Sequence, residues 1–246
     1  MIVLSGGGSN FGLPEISPYV TKTEVQLRMA GIAFEKRTAF PGEGPKGQIP
    51  FIEDGSRRIG DSAFIRMHVE QEYGVDLDAG LSPEQRATAY AIESMVDHQL
   101  APASGYFRWL IPANFAKGPA QFFAFMPAEQ RDAFVADVLQ RVRADSVARG
   151  IGLHTEDEIV QIAARVLRAV EILLADKPYL MGDEPVGADA FVFAVLAGAM
   201  TPYFDTPIRD LAIQSPTLVA YVDRMMARFY PDFAWNAGAQ HFSKAA

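Results

Sequence analysis

Gln48-Ile49-Pro50-Phe51-Ile52-Glu53-Asp54-Gly55-Ser56-Arg57-Arg58-Ile59-Gly60-Asp61-Ser62 reads as two short β-like runs around an Asp-Gly turn, entered through a proline and left through a helix start. Asp-Gly between such runs is a strong hairpin signal, because the tightest hairpin turns need positive φ at both central residues. Pro50 cannot donate to a sheet ladder, so a plain central strand does not accommodate it. Two arrangements do. Either Pro50 opens an edge strand, or the Ile49–Pro50 bond is cis and the Ile49 backbone turns outward to pair with a ligand's extended backbone. Asp61-Ser62 also has two readings. It is a simple N-cap, or its backbone N–H groups, positive helix end and Ser62 hydroxyl receive a carboxylate while Asp61 takes an ammonium group. A ligand with an α-amino-acid end and a peptide backbone satisfies both places together.

Upstream, Met1 to Leu4 reads as a buried strand closed by Ser5-Gly6-Gly7-Gly8, with a loop running through Pro14 to Ser17-Pro18. Ser17 is placed as an N-cap, with Pro18 at the first helical position and Gly31 as the stop; Val20, Val25, Leu27, Met29 and Ala30 form the apolar stripe. Ile32 to Arg37 is a second strand, and Pro41 to Gly47 a Gly/Pro-rich connector. A helix opens at Asp61-Ser62, with Phe64, Ile65 and His68 or Val69 on one face. The unit is strand–helix–strand–strand–strand–helix.

No strand pattern recurs downstream. Capping boxes at Ser82-Pro83-Glu84-Gln85 and Thr155-Glu156-Asp157-Glu158 open helices, the second followed by Ile159, Ile162, Ala163, Val166, Leu167, Val170 and Leu174 at helical spacing. Ala188 to Met200 is apolar nearly all round and is expected to be a central buried helix, while Ser215-Pro216-Thr217 opens the last one. The division expected is an α/β domain over residues 1–76 and an all-α domain over 81–246, with the boundary between Val75 and Leu81.

Composition excludes several classes. The chain of 246 residues is 49% hydrophobic and 21% charged, ordinary for a globular protein. A net charge of -8 speaks against a nucleic-acid partner. With no cysteine there is no disulfide, thiolate metal site or cysteine nucleophile, which is compatible with a reducing cytoplasm. No stretch reads as a signal peptide or a membrane span of roughly 20 residues. His68, His98, His154 and His241 are scattered with no metal-ligand pattern, so no metal is expected. Gly6-Gly7-Gly8 lacks the spacing of a nucleotide loop.

Ser17-Pro18-Tyr19-Val20 before a helix, Gln48-Ile49-Pro50 before a hairpin, and Asp61-Ser62 together resemble the N-terminal domain of glutathione transferases. Phe11-Gly12-Leu13-Pro14 leading into Ser17-Pro18-Tyr19, then Leu27-Arg28-Met29-Ala30-Gly31, is similar to the signature of the metaxin-like and failed-axon-connections-like branch. The resemblance implies a thioredoxin-like half followed by an all-helical bundle, a cytoplasmic homodimer and glutathione as co-substrate. By position, Ile49 resembles the residue that pairs with the cysteinyl part of glutathione, Pro50 the cis-proline, and Asp61 and Ser62 the γ-glutamyl binders. Gln48 is a further glutathione contact and Lys46 a candidate for the glycyl carboxylate. Ser17 stands where serine-type transferases carry the hydroxyl that stabilises the thiolate, with Tyr19 as the fallback. Val20 stands where this branch often carries cysteine, so mixed-disulfide chemistry is unavailable. Tyr179-Leu180-Met181-Gly182-Asp183 and Ala188-Asp189-Ala190 resemble the family's buried capping motif, although Val186 replaces the usual Ser or Thr. An electrophile pocket lined by Tyr106, Phe107, Arg108, Trp109 and Phe115 is implied between the halves.

The chemistry is modest in size. A free thiol titrates near about 8.5, and lowering it by about two units takes about 2.7 kcal/mol of preference for the anion. A charge-assisted hydrogen bond from Ser17 supplies roughly 1.5–3 kcal/mol, and a helix N-terminus roughly 0.3–1 kcal/mol. Ser17 as a plain helix cap stands beside that reading. The expectation is a transferase adding glutathione to a small hydrophobic electrophile; the alternative is a non-catalytic binding or assembly protein on the same scaffold.

Overall fold

The computed structural model describes residues 1–236. Its first half follows the expected order: β1 (Ile2–Gly6), α1 (Pro18–Met29), β2 (Phe34–Thr38), β3 (Phe51–Asp54), β4 (Arg57–Gly60) and α2 (Ser62–Tyr73). The sheet order is β2-β1-β3-β4, with β1 parallel to β2 and antiparallel to β3. Gly55-Ser56 joins β3 to β4: Asp54 still pairs with Arg57 at the end of β3, so the turn falls one residue later than the expected Asp-Gly, and Gly55 takes a positive φ of 59° in it. Ile2, Leu4, Val20, Leu27, Ile52, Ile65 and Val69 form the core beneath the sheet.

Helices alone follow: α3 (Pro83–Met95), α4 (Ala101–Trp109), α5 (Pro112–Lys117), α6 (Ala128–Ala148), α7 (Glu156–Leu174), α8 (Gly187–Met200), α9 (Pro207–Ile213) and α10 (Pro216–Phe229). Ser82 and Thr155 close the expected capping boxes with Gln85 and Glu158. Between α3 and α4 the chain widens into a π-turn, Val96–Leu100, closed by Ala101 N–H to the Val96 carbonyl. Pro102 lies two residues beyond Leu100, and a proline lacks the N–H that would continue a regular ladder. Helix α8 is buried along nearly all its length and centres the helical core.

Helix α1 joins the halves. Val20 and Leu27 face the sheet core, whereas Val25 belongs to the helical core. Its other positions from Val20 to Leu27 are buried too, including Lys22, which pairs with Glu93 at 2.6 Å. Gln26 Nε2 donates to the Gly187 carbonyl at 3.0 Å, while Gly187 N–H donates to Asp78 Oδ1 at 2.9 Å. A side chain at Gly187 would collide with the Arg66 guanidinium, which itself holds Asp78. None of the helices among the described residues is long and apolar enough to cross a membrane.

Candidate functional site

The loop from β1 to α1 is built around a carboxylate that sequence reading passed over. Glu15 is 2% exposed and accepts from the N–H groups of Gly7 (3.1 Å), Gly8 (2.9 Å) and Ser17 (3.1 Å). Lys36 Nζ stands 3.5 Å away and also holds Glu24 at 2.8 Å. Burial pushes the Glu15 carboxyl up, while Lys36 and the three N–H groups pull it down. Gly6 and Gly7 make this possible: a Cβ on either would lie within 3 Å of Val20 or Ile16 side-chain atoms. The triple glycine therefore serves an internal anion. A glutamate seven residues beyond a glycine run is not a recognised signal, so nothing in the sequence marked it.

Ser17 stands at the N-cap position of α1, as expected, yet its side chain makes no capping bond. Its backbone is held instead, by Glu15 on the N–H and by Thr21 N–H on the carbonyl at 2.9 Å. Tyr19 is differently committed. Its hydroxyl donates to Asp97 in the π-turn at 2.8 Å, and its ring lies 5.2 Å from Phe191. Burial, and then Asp97, push the phenol well above its ordinary pKa. As the fallback hydroxyl Tyr19 is thus engaged across the domain contact, and Ser17 alone keeps a hydroxyl the helix does not use.

The Ile49–Pro50 peptide bond is cis. Pro50 is buried and its carbonyl accepts Asp61 N–H at 3.1 Å, which draws the entry and exit of the hairpin together. Ile49 precedes β3, its side chain packed on the sheet core. Asp61 has φ 83° and ψ 126°, a region L-residues rarely occupy and one that costs roughly 1–3 kcal/mol. Its carboxylate caps α2 through Ala63 N–H at 2.8 Å, and Ser62 is buried at the first turn. Lys46 Nζ lies 3.9 Å from Asp61 and 3.7 Å from the Phe64 ring centroid, while Gln48 is exposed on the connector. The Asp61–Pro50 hydrogen bond and the Lys46–Asp61 contact thus bring Pro50, Asp61 and Lys46 together at the open end of the hairpin, with Ser62 next in the chain.

The residues expected to line an electrophile pocket do not share one surface. Phe107 is 2% exposed and belongs to the helical core, a correction that follows from the inward face of α4. Tyr106 packs on that core. Arg108 reaches back to the sheet half, donating to the Ile16 carbonyl at 3.4 Å and the Gly198 carbonyl at 3.1 Å, with Phe204 beneath it at 4.9 Å. Burial pulls its pKa down to about 10. Trp109 lies 6.2 Å from both Phe115 and Phe122. Aromatics not singled out complete this contact: Phe11, at φ 54°, packs on Phe122, Tyr203 and Phe204, and Phe40 meets Phe125 at 6.0 Å.

At the start of α8, Asp189 is fully buried and accepts from Leu180 N–H (3.1 Å), Val186 N–H (2.9 Å) and Tyr221 Oη–H (2.9 Å). The first-turn N–H groups are met without a hydroxyl at Val186: Gly187 N–H donates to Asp78 Oδ1 at 2.9 Å and Asp189 N–H to the Val186 carbonyl at 2.9 Å. Burial raises the Asp189 carboxyl to about 6 against its three donors. His68 Nε2 donates to the Asp54 carboxylate at 2.8 Å; His241 lies outside the described residues.

A four-stranded mixed sheet with a cis-proline hairpin, backed by an all-helical bundle, defines a protein of the glutathione-transferase kind. The family model for the glutathione S-transferase N-terminal domain matches residues 18–114, and that for the C-terminal domain matches residues 163–225. The chain belongs to the glutathione S-transferase superfamily. It is 32% identical over 236 residues to Failed axon connections of Drosophila melanogaster, covering 90% of this chain and 56% of that one. It is 29% identical over 250 residues to the isoprene-epoxide–glutathione S-transferase of Rhodococcus sp. strain AD45, covering 93% and 99%. Mouse Metaxin-1 is 25% identical over 203 residues, with 78% and 62% covered. The chain thus spans little more than half of Failed axon connections and of Metaxin-1, but nearly all of the bacterial transferase. Among solved structures, the β-etherase LigF from Sphingobium sp. strain SYK-6 shares the fold at a TM-score of 0.69 and 17% identity, over 94% of this chain and 98% of that one.

Proposed function

We propose that this protein is a glutathione transferase that binds glutathione along Ile49–Pro50 and the start of α2 and uses the Ser17 hydroxyl to stabilise the thiolate. The observation that carries the reading is at Ser17: it occupies an N-cap while its hydroxyl leaves the helix uncapped. Such a donor at a positive helix end suits an incoming anion. Asp61 and Ser62 take the γ-glutamyl end, with Lys46 and Gln48 toward the glycyl end. Similarity to the isoprene-epoxide transferase over its whole length supports a small, apolar electrophile as second substrate. The proposal includes a cytoplasmic setting and a homodimer; Phe64, Met67 and Tyr90 are exposed apolar side chains on α2 and α3 that such a contact would cover.

A non-catalytic binding or assembly role is the second reading, favoured by the 32% identity to Failed axon connections. Retention on immobilised glutathione, followed by conjugation of a small aliphatic epoxide, separates the two. Retention with turnover supports the transferase; retention without turnover on any small electrophile supports the binding role. Absence of retention removes both the site and the enzyme.

A further inference from the structure

The peptide group that joins Ile16 to Ser17 is gripped at both ends by charged side chains. Its N–H donates to Glu15 Oε1 at 3.1 Å, and its carbonyl accepts from Arg108 Nη1 at 3.4 Å. Glu15 is anchored independently by Gly7 and Gly8, and Arg108 by the Gly198 carbonyl and the Phe204 ring. The carboxylate belongs to the sheet half, whereas the guanidinium stands on α4, 92 residues further along the chain than Ile16. Hydrogen bonds to ionised groups are roughly twice as strong as neutral ones when short; here Glu15, at 3.1 Å, is the firmer jaw and Arg108, at 3.4 Å, the looser one. Rotating this peptide disturbs both together.

We infer that Glu15 and Arg108 are positioning residues for Ser17, and that this carboxylate–peptide–guanidinium clamp fixes the direction of its hydroxyl. The inference rests on the proposed role of Ser17 as thiolate donor. It assigns Arg108 a place in the mechanism other than a pocket wall: the helical half sets the reacting end of the sheet half. A donor that must meet a thiolate within about 0.5 Å needs such second support. Neither side chain needs to touch substrate for this.

The test has two arms on the full chain, with Arg108→Met, Arg108→Lys and Glu15→Gln compared with wild type. Arg108→Met keeps an apolar stem over Phe204 and removes the donors, so the fold is retained. In the ligand-free protein, amide hydrogen exchange at Ser17 is expected to quicken roughly tenfold in Arg108→Met and Glu15→Gln. With glutathione bound, Arg108→Met is expected to leave roughly tenfold less thiolate at a fixed pH while the Kd changes by less than about threefold. Arg108→Lys, which keeps one donor, is expected to recover part of the loss. Unchanged Ser17 exchange in both variants overturns the clamp, whatever glutathione does. Unchanged thiolate in these variants, when Ser17→Ala does lower it, overturns the positioning role and leaves the transferase reading intact. A wild-type protein that does not ionise glutathione overturns the transferase reading and the positioning role with it, leaving the grip on the peptide to be judged by exchange alone.

Discussion

Two buried carboxylates, Glu15 in the sheet half and Asp189 in the helical half, do the same thing with different consequences. Each gathers donors from separate chain segments: Glu15 from Gly7, Gly8 and Ser17, Asp189 from Leu180, Val186 and Tyr221. Glu15 has Lys36 at 3.5 Å, and its donors belong to a loop that ends at a free hydroxyl. The donors to Asp189 are two backbone N–H groups and a phenol, all neutral, and they tie α8 to the preceding loop and to α10. One arrangement aims a site and the other holds the bundle. Removing each should therefore show up in different measurements.

The largest effect is expected at the helical carboxylate. Asp189→Ala orphans three buried donors and should lower unfolding stability by about 3–6 kcal/mol, read from a urea midpoint. A loss below about 1 kcal/mol would break the contrast.

Asp189 also gives a pH signature. Its carboxyl titrates at about 6 in the fold against 3.8 as the ordinary value, so the native chain holds this proton more tightly than the unfolded one. Its contribution to stability is therefore full below about pH 4 and is lost as pH rises through about 6, an effect of about 3 kcal/mol. Chemical denaturation between these limits should show that slope in wild type and a flatter one in Asp189→Asn.

Ser17→Ala sharpens the comparison from the other side. It should raise the bound thiol by about two pH units, equivalent to about 2.7 kcal/mol. Stability should change by less than about 0.5 kcal/mol, because no capping bond is lost. Tyr19→Phe is expected to do the reverse at smaller scale. It loses the bond to Asp97, about 1 kcal/mol of stability, and leaves the bound thiol pKa unchanged.

Much of this was legible in the sequence, for reasons that differ by region. The hairpin after Pro50, the boxes at Ser82 and Thr155 and the apolar run of α8 are local signals and form as expected, save that the hairpin turn falls one residue later, on Gly55-Ser56. Pro50 and Asp61-Ser62 were legible as a pair because each alone has an ordinary explanation. Glu15 was not, because its partners are backbone N–H groups that any sequence carries. Phe107 and Arg108, expected on one wall, part company because adjacent helical residues point about 100° apart, so one turns into the core and the other toward Ile16. The contact between Phe11 and Phe122, Tyr203 and Phe204 spans residues too distant in sequence for any local pattern.

The most direct test is an absorbance titration of bound glutathione thiolate in wild type and Ser17→Ala. The account predicts a wild-type thiol about two units below its free value of about 8.5, and a return to that value in the variant, with glutathione still bound in both. A depressed thiol pKa that survives in Ser17→Ala would contradict it.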